Sequence, residues 1–489
     1  MNEENNESND STNNKDHNKS NEETTKDTKD DENEFLPKGD IDEDLIISED
    51  KLEEEKFEEK SCSMKEGSLL GGIFALSSIA LGPGAYSLPI RCTQLGLVWF
   101  IVFIIIAAFV TYWSMSGLIK AARKVRGEDY SPSVKALVGK PFAILIDVTI
   151  ILYLIGVFIQ YQVIIYSLIG RTIYEFFGDK KLYENFDIYE EKVWDSAILK
   201  YPIMFGIITL VMPLCLLKNI SKMRFASLFG ICAYIYCISV IVIQSPWFLK
   251  HYLDNYKKDD PSTHANWYNL GNGFTKELYF FTGIATVFFA YECHTGAFPV
   301  YKNLKNHTEE RINKLYFRSL CLDIAVYILI SVSGFITAPL NPKSLIIFRD
   351  NVVFKNDIFM IIAKIALACN LFLSLPANYA GYRQSFFIFF FGTDKIDNKR
   401  NLIVTISSLF ISTLIGAVYK NILNYISFLG GFCCSIINFL VPGAMIIKGS
   451  GEKLSSPKNI LTFIAFATLT TLGFLGGIQT IRASIMSSK

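Results

Sequence analysis

The stretch Ser78-Ile-Ala-Leu-Gly-Pro-Gly-Ala-Tyr-Ser-Leu-Pro89 interrupts an apolar run with residues that a membrane helix usually avoids. A second interruption, Phe289-Ala-Tyr-Glu-Cys-His-Thr-Gly-Ala-Phe-Pro299, lies five predicted spans further along the chain. Backbone groups that leave a helix inside a bilayer must be satisfied by protein, water or a ligand. Interruptions at corresponding positions of two halves of a chain therefore predict a binding site within the membrane, as in secondary transporters.

The composition indicates a polytopic membrane protein. Of the 489 residues, 51% are hydrophobic and 14% are aromatic. Residues 1–60 are acidic and rich in Asn, and we expect them to form a disordered cytoplasmic tail. Residues 64–485 are expected to form one transmembrane domain in contact with the lipid bilayer. The formal net charge is zero, and the charge pattern does not indicate a nucleic-acid partner.

Eleven apolar runs follow the tail, and each can cross about 30 Å of hydrocarbon with roughly 20 residues. Lys and Arg gather in the loops after the even-numbered spans, which places those loops and the N-terminus in the cytoplasm. The odd number of spans then places the C-terminus outside the cell or in a lumen. The predicted spans are Ser68–Pro89, Leu95–Ile119, Pro141–Leu168, Tyr201–Leu217, Phe225–Gln244, Leu278–Tyr301, Tyr316–Pro339, Ile358–Tyr379, Leu402–Tyr419, Ile422–Ile447 and Ile460–Ile481.

The first interruption contains Gly82, Pro83 and Gly84. Pro83 removes one amide donor, and the two glycines are free to leave helical dihedral angles. The half-helix that begins near Ala85 would present amide groups and a positive dipole end, which suit a carboxylate. A carboxylate is the group that all amino acids share. The alternative is a simple Gly/Pro kink, which membrane helices tolerate.

The second interruption carries two titratable residues in mid-span, where such groups are costly unless they face a cavity or a partner. Glu292 could receive an amino group, exchange a proton during transport, or pair with a buried donor. His294 could titrate near neutral pH, or it could be a neutral imidazole that is hydrogen-bonded between helices. Asp147 and Asp323 are placed in the cytoplasmic portions of spans three and seven, where we expect interfacial pairing with Lys or Arg.

Three motifs resemble the amino acid/auxin permease family, especially its sodium-coupled neutral amino acid transporter branch. FAYECHTGAFPVYKNLKN at 289–306 resembles the sixth helix and following loop of that family. GSLLGGIFALSSIALGPGAYSLPIRCTQLG at 67–96 resembles its first helix, and LSLPANYAGYRQ at 373–384 resembles its eighth. The resemblance covers the chain from about Met64 to the C-terminus.

The resemblance implies an all-α inverted-repeat fold of the leucine transporter type. Spans one to five and six to ten would form the repeats, and the eleventh would be an addition. The substrate would lie between broken helices one and six, flanked by spans three and eight. The expected substrate-binding residues are Ser78, Leu81, Gly82, Pro83, Gly84, Tyr161, Phe289, Tyr291 and Cys293.

The coupling ion is not settled by this resemblance. The sodium-coupled branch usually carries Asn in helix one and Thr in helix eight as sodium ligands, and the matching residues here are Ser78 and Ser374. A hydroxyl is a poorer ligand for a hard cation than an amide oxygen. We therefore place proton coupling through Glu292 or His294, or uncoupled exchange, ahead of sodium coupling.

The sequence thus predicts a secondary active transporter of amino acids. One alternative is a transporter-like receptor that senses an amino acid and signals through the tail. A membrane-embedded enzyme is disfavoured, because the chain has no HExxH or Gly-x-Ser-x-Gly motif. We expect no catalytic residue, cofactor or metal. The plasma membrane and a vacuolar or lysosome-like membrane both fit the predicted topology.

Overall fold

The computed structural model of the protein describes residues 67–177, 197–217, 224–257, 260, 264–271, 274, 279–340, 342–349, 352–354, 357–393, 396–418 and 421–487. The predicted tail, residues 1–60, lies outside them. The described part of the chain is helical and contains no strand. Its helices are α1 (Leu69–Ala80), α2 (Pro83–Tyr86), α3 (Leu88–Leu95), α4 (Leu97–Lys124), α5 (Tyr130–Leu137), α6 (Lys140–Phe177), α7 (Ala197–Cys215), α8 (Arg224–Asp254), α9 (Tyr279–Ala290), α10 (His294–Asn303), α11 (Glu309–Thr337), α12 (Ile358–Phe391), α13 (Asn398–Val418), α14 (Ile422–Leu429), α15 (Val441–Gly449) and α16 (Pro457–Ser487).

Each of the eleven predicted spans has a helical counterpart. Within the described residues, eight segments are long and apolar enough to cross a membrane: α4, α6, α8, α11, α12, α13, α14 with α15, and α16. A ninth span consists of α1 followed by α2 and α3, which bend by 53° at the first interruption. The remaining two predicted spans correspond to the shorter apolar helix α7 and to the interrupted pair α9 and α10.

The bend in the first span has a local cause. The residue before a proline is held out of the helical region by the proline ring, and Gly82 is extended, with φ −112° and ψ −164°. Pro83 then occupies the first turn of α2, where its missing amide costs no helical hydrogen bond. The same dipeptide therefore ends α1 and begins the next helix in a new direction.

The broken helices are enclosed by other spans. Helix α11 packs against α1, α4 and α8, while α12 packs against α6 and α8. Helix α9 contacts α2, α3, α14 and α16. The two interruptions consequently lie inside the helix bundle rather than at its lipid-facing surface.

Span ten is irregular where it passes the second interruption. Two π-helical turns, Gly430–Cys434 and Ile436–Leu440, join α14 to α15. A β-carbon at Gly430 would collide with the carbonyl group of Ala285 on α9, so only glycine allows this close approach. Such π-turns are frequent at functional sites.

Candidate binding site between the helix breaks

The two interruptions are in direct contact. A β-carbon on Gly84 would lie 2.9 Å from Cδ1 of Phe289 and 3.2 Å from Cα of Ala290. A β-carbon on Gly82 would lie 3.7 Å from the hydroxyl of Tyr161 on α6. The structure therefore brings together predicted site residues from spans one, three and six. The other residues predicted from the breaks, Leu81, Pro83, Tyr291 and Cys293, are also buried.

The first break satisfies most of its own amide groups. Those of Leu81, Gly82 and Ala85 donate to nearby backbone carbonyl groups at 2.7, 2.8 and 3.2 Å. Pro83 has no amide. Within the described residues, the amide of Gly84 has no acceptor. Of the amides from Leu81 to Ala85, only that of Gly84 is therefore free to donate within the described residues.

Two carbonyl groups near the end of α1 are free for a ligand. The last four carbonyl groups of a helix have no intrahelical partner and must be satisfied in another way. In the described part of the chain, the carbonyl groups of Ser78 and Ile79 accept no hydrogen bond. They provide two oxygen ligands beside the break.

The corresponding carbonyl groups of α9 are all satisfied. Those of residues 287–290 accept, in order, from the Tyr291 amide at 3.0 Å, the Asn438 side chain at 3.3 Å, the Glu292 amide at 3.2 Å and the Tyr327 hydroxyl at 2.5 Å. The second break is therefore held by side chains from spans seven and ten.

Tyr327 links the two breaks. Besides contacting the carbonyl of Ala290, its hydroxyl lies 2.8 Å from the carbonyl of Ala80, the last residue of α1. Its ring meets that of Tyr291 edge to face, with 4.9 Å between the centroids. One buried side chain of α11 thus contacts the carbonyl ends of both half-helices.

Glu292 caps the helix that follows the second break. Its carboxylate accepts from the amide of Thr295 at 3.1 Å and from the hydroxyl of the same residue at 3.2 Å. Tyr153 on α6 also lies within reach of the carboxylate. A negative charge at this position is favoured by the amide-rich end of α10. Of the three roles proposed for Glu292, these contacts correspond to pairing with buried donors.

His294 is hydrogen-bonded to α4. Its Nε2 lies 3.0 Å from the hydroxyl of Ser114, which in turn donates to the carbonyl of Asn438. Because the serine proton is used there, Nε2 of His294 must be the donor to Ser114. Nδ1 has no partner in the described residues. The neighbouring Cys293 contacts the sulfur of Met115 at 3.2 Å, so both residues dock on α4.

Ser78 and Ser374, the residues at the sodium-ligand positions, already have local partners. The hydroxyl of Ser78 donates to the carbonyl of Ala75 at 2.8 Å. The hydroxyl of Ser374 lies 3.3 Å from Oδ1 of Asn370, one turn earlier on α12. Each hydroxyl is used within its own helix, and neither bonds the other.

Span three contributes one interhelical contact and one unpaired amide. Gln162 bonds α13 through the hydroxyls of Ser412 and Thr413, at 2.9 and 2.7 Å. Gln160 is buried, and neither atom of its amide has a hydrogen-bond partner within the described residues. The two glutamines of span three therefore differ, because Gln162 joins α6 to α13 whereas Gln160 makes no hydrogen bond within the described residues.

Two residues of α11 lie beside the breaks, although no sequence motif placed them there. The sequence assigns no role to Tyr327, and it predicts that Asp323 pairs with Lys or Arg near the membrane surface. That expectation is wrong, because Asp323 is fully buried and has no Lys or Arg partner in the described chain; the side chain that interacts with its carboxyl is the hydroxyl of Ser77 on α1. The available signal was the spacing of four residues between Ser319, Asp323 and Tyr327, which places polar groups on one helix face.

Arg91 connects three elements on the α3 side of the breaks. Its guanidinium donates to Thr286 at 3.0 Å and Thr282 at 3.2 Å on α9, and to Ser427 on α14 at 2.6 Å. The residue is 2% exposed. This side of the site is therefore closed by a buried guanidinium that is hydrogen-bonded to uncharged hydroxyl groups.

The bent and interrupted helices and their enclosure define a membrane transporter of the leucine transporter fold. In agreement with this class, the fold resembles that of MhsT in its crystal structure with L-phenylalanine, with a TM-score of 0.52 and 15% sequence identity. The match covers 86% of this chain and 99% of MhsT. The expected fold class is thereby confirmed.

Residues 65–486 match the family described as transmembrane amino acid transporter protein, and the chain belongs to this family. This confirms the amino acid/auxin permease resemblance and places the chain among transporters rather than enzymes. Similar proteins include vacuolar amino acid transporter 5 of Schizosaccharomyces pombe, 21% identical over 81% of this chain and 87% of the relative. Sodium-coupled neutral amino acid symporter 2 of Danio rerio is 20% identical, and amino acid transporter AVT6E of Arabidopsis thaliana is 22% identical. Each of these two matches covers 82% of this chain and 79% of the relative.

Proposed function

We propose that this protein is a secondary active transporter that moves amino acids across a membrane by alternating access, with the substrate held between the two breaks. The direct contact of Gly84 with Phe289 and Ala290 carries this proposal, because it joins the interruptions of spans one and six. Membership of the amino acid transporter family supports the substrate class.

The first break is assigned to the carboxylate end of the substrate. Within the described residues the amide of Gly84 is unpaired, and the backbone of Leu81 and Gly82 lies outside the helices. The segment from Tyr291 to His294 is assigned to the amino end or to the coupling ion. The free carbonyl groups of Ser78 and Ile79 add acceptors that suit an ammonium group or a cation.

We assign a proton rather than sodium as the coupling ion. Ser78 and Ser374 offer hydroxyl oxygens, which are poorer ligands for a hard cation than an amide oxygen. Glu292 and His294 are the titratable groups of the second break. The name of the Danio rerio relative keeps sodium as the alternative ion, and the name of the Schizosaccharomyces pombe relative favours a vacuolar membrane over the plasma membrane.

The test is uptake of a radiolabelled amino-acid panel into proteoliposomes, with proton and sodium gradients imposed separately. Proton-stimulated accumulation supports the proposal. Sodium-stimulated accumulation would mean that sodium is the coupling ion, and the proposed transport function would still stand. Saturable binding without flux identifies a sensor instead. Absence of both binding and flux for every amino acid refutes the substrate class.

A further inference from the structure

Asp323 lies at mid-length of α11. The helix runs from Glu309 to Thr337, so fourteen residues, or roughly 21 Å at 1.5 Å per residue, separate Asp323 from either end. The sequence predicts that this span begins at Tyr316, and that start would place Asp323 closer to the membrane surface. The helix in fact begins two turns earlier, where Thr308 caps its polar first turn.

The neighbours of Asp323 on the same helix face both contact α1. Ser319 lies one turn before it, and its hydroxyl is 2.8 Å from that of Ser77. Tyr327 lies one turn after it and contacts the last carbonyl of α1 at 2.8 Å. The carboxyl of Asp323 therefore lies between two contacts that hold α11 against the first broken helix.

No cation in the described part of the chain pairs with this carboxyl. The titratable groups that face it are Tyr234 on α8, Tyr291 and Cys293 in the second break, and Tyr327 on its own helix. Helix α1 adds the uncharged hydroxyl of Ser77. Helices α3 and α4 add no titratable partner in the described residues. An ionised carboxylate that has no cation, and only the hydroxyl of Ser77 as a donor, is costly at this depth.

We propose that Asp323 is a proton-carrying carboxyl of the transport cycle, which holds a proton in this conformation and releases it when α1 and the second break separate from α11. The proposal rests on the proposed function and adds Asp323 to the candidates Glu292 and His294. The carboxylate takes one proton from water on one side of the membrane, and the acid returns it to water on the other side. No other reactant is required.

The oxygens around Asp323 favour a proton over sodium. A hard cation needs several oxygen ligands at once. The groups that α1 and α11 place beside Asp323 are the hydroxyls of Ser77 and Tyr327. Hydroxyls are poorer ligands for a hard cation than carboxylate or carbonyl oxygens, whereas a proton needs no further ligand.

The first test is accumulation in proteoliposomes that contain the full-length protein. Each coupled proton supports up to about tenfold accumulation per unit of pH gradient, because one unit is 1.36 kcal/mol. Asp323→Asn should lose this factor of about ten while retaining amino-acid counterflow, which needs no gradient. Accumulation equal to wild type in Asp323→Asn overturns the proposal, and so does sodium-driven accumulation that depends on Asp323.

Asp147→Asn is the matched control, because it also removes a buried carboxyl from the membrane domain. Asp147 on α6 is also buried, but its Oδ2 accepts from Ser131 at 2.7 Å. Asp147→Asn should keep proton-driven accumulation, and Asp323→Glu should restore part of it. An equal loss in Asp147→Asn would overturn a specific role of Asp323.

Infrared difference spectroscopy across a pH step gives a readout that does not depend on transport. Wild type should show the C=O band of a protonated carboxylic acid, Asp323→Asn should lack it, and Asp323→Glu should shift it. Absence of such a band in wild type refutes the proton site even if transport is proton-driven. If wild type neither binds nor exchanges amino acids, the proposed function fails, while the band still decides the protonation of Asp323.

Discussion

Removal of the Tyr327 hydroxyl tests whether this group links the two breaks. Tyr327→Phe keeps the ring that packs on Tyr291 and removes only the oxygen. A hydroxyl has one proton and donates to one carbonyl at a time. Ala80 would keep the amide of Gly82 at 2.8 Å, whereas Ala290 would lose its donor. An unsatisfied buried carbonyl costs about 1–3 kcal/mol.

This cost applies to the conformation in which the breaks are joined. If the substrate is bound in that conformation, a shift of about 1–3 kcal/mol weakens its apparent affinity about 5- to 150-fold. We therefore expect the KM of counterflow exchange to rise by at least about fivefold in Tyr327→Phe. The assay is exchange of a labelled amino acid in proteoliposomes, with protein incorporation measured for each variant.

Tyr316→Phe is the matched control. Tyr316 is also buried on α11, but its hydroxyl lies 3.5 Å from the carbonyl of Ala297, which is too long for a strong hydrogen bond. We expect this variant to exchange substrate with a KM close to that of wild type. If the two variants gave the same KM, the link between the breaks would have no energetic role.

Three further perturbations have defined outcomes. Gly84→Val should abolish uptake and leave membrane insertion intact, because its first added carbon would lie 2.9 Å from Phe289; wild-type uptake would mean that the site is elsewhere. Glu292→Gln should flatten the pH dependence of uptake if this carboxyl carries a proton, since the amide oxygen can still cap α10. An unaltered pH profile in folded protein would remove Glu292 from coupling. Asp357→Ala should destabilise the protein by about 3–5 kcal/mol, because it leaves a buried guanidinium without its counter-ion. That guanidinium belongs to Arg349, 3.2 Å from Asp357. Heating in detergent checks this prediction, and a midpoint equal to wild type would contradict it.

The spans and their interruptions could be predicted because their causes are local. A run of apolar residues determines where a helix can cross the bilayer, and a proline constrains the residue before it. Gly82 and Pro83 accordingly mark the bend. The contact between the two breaks could also be predicted, because interruptions at corresponding positions of two halves are expected to meet.

The roles of the titratable side chains could not be obtained in the same way. Glu292 and Asp323 are both acidic residues in apolar runs, and the sequence makes them look alike. In the folded protein, Glu292 accepts hydrogen bonds from the amide and the hydroxyl of Thr295, whereas Asp323 has only the hydroxyl of Ser77 within reach in the described residues. That difference depends on which helix ends and neighbours surround each carboxyl.

The sequence by itself determined a polytopic helical protein with two broken spans, because hydrophobic length and proline geometry act within a few residues. Only the tertiary structure decided that Tyr327 contacts both breaks and that Asp323 faces α1 with no cation beside it in the described residues. These contacts join residues that are far apart along the chain, between 37 and 247 positions for Tyr327. Their formation depends on how the helices pack, which no local pattern of residues specifies.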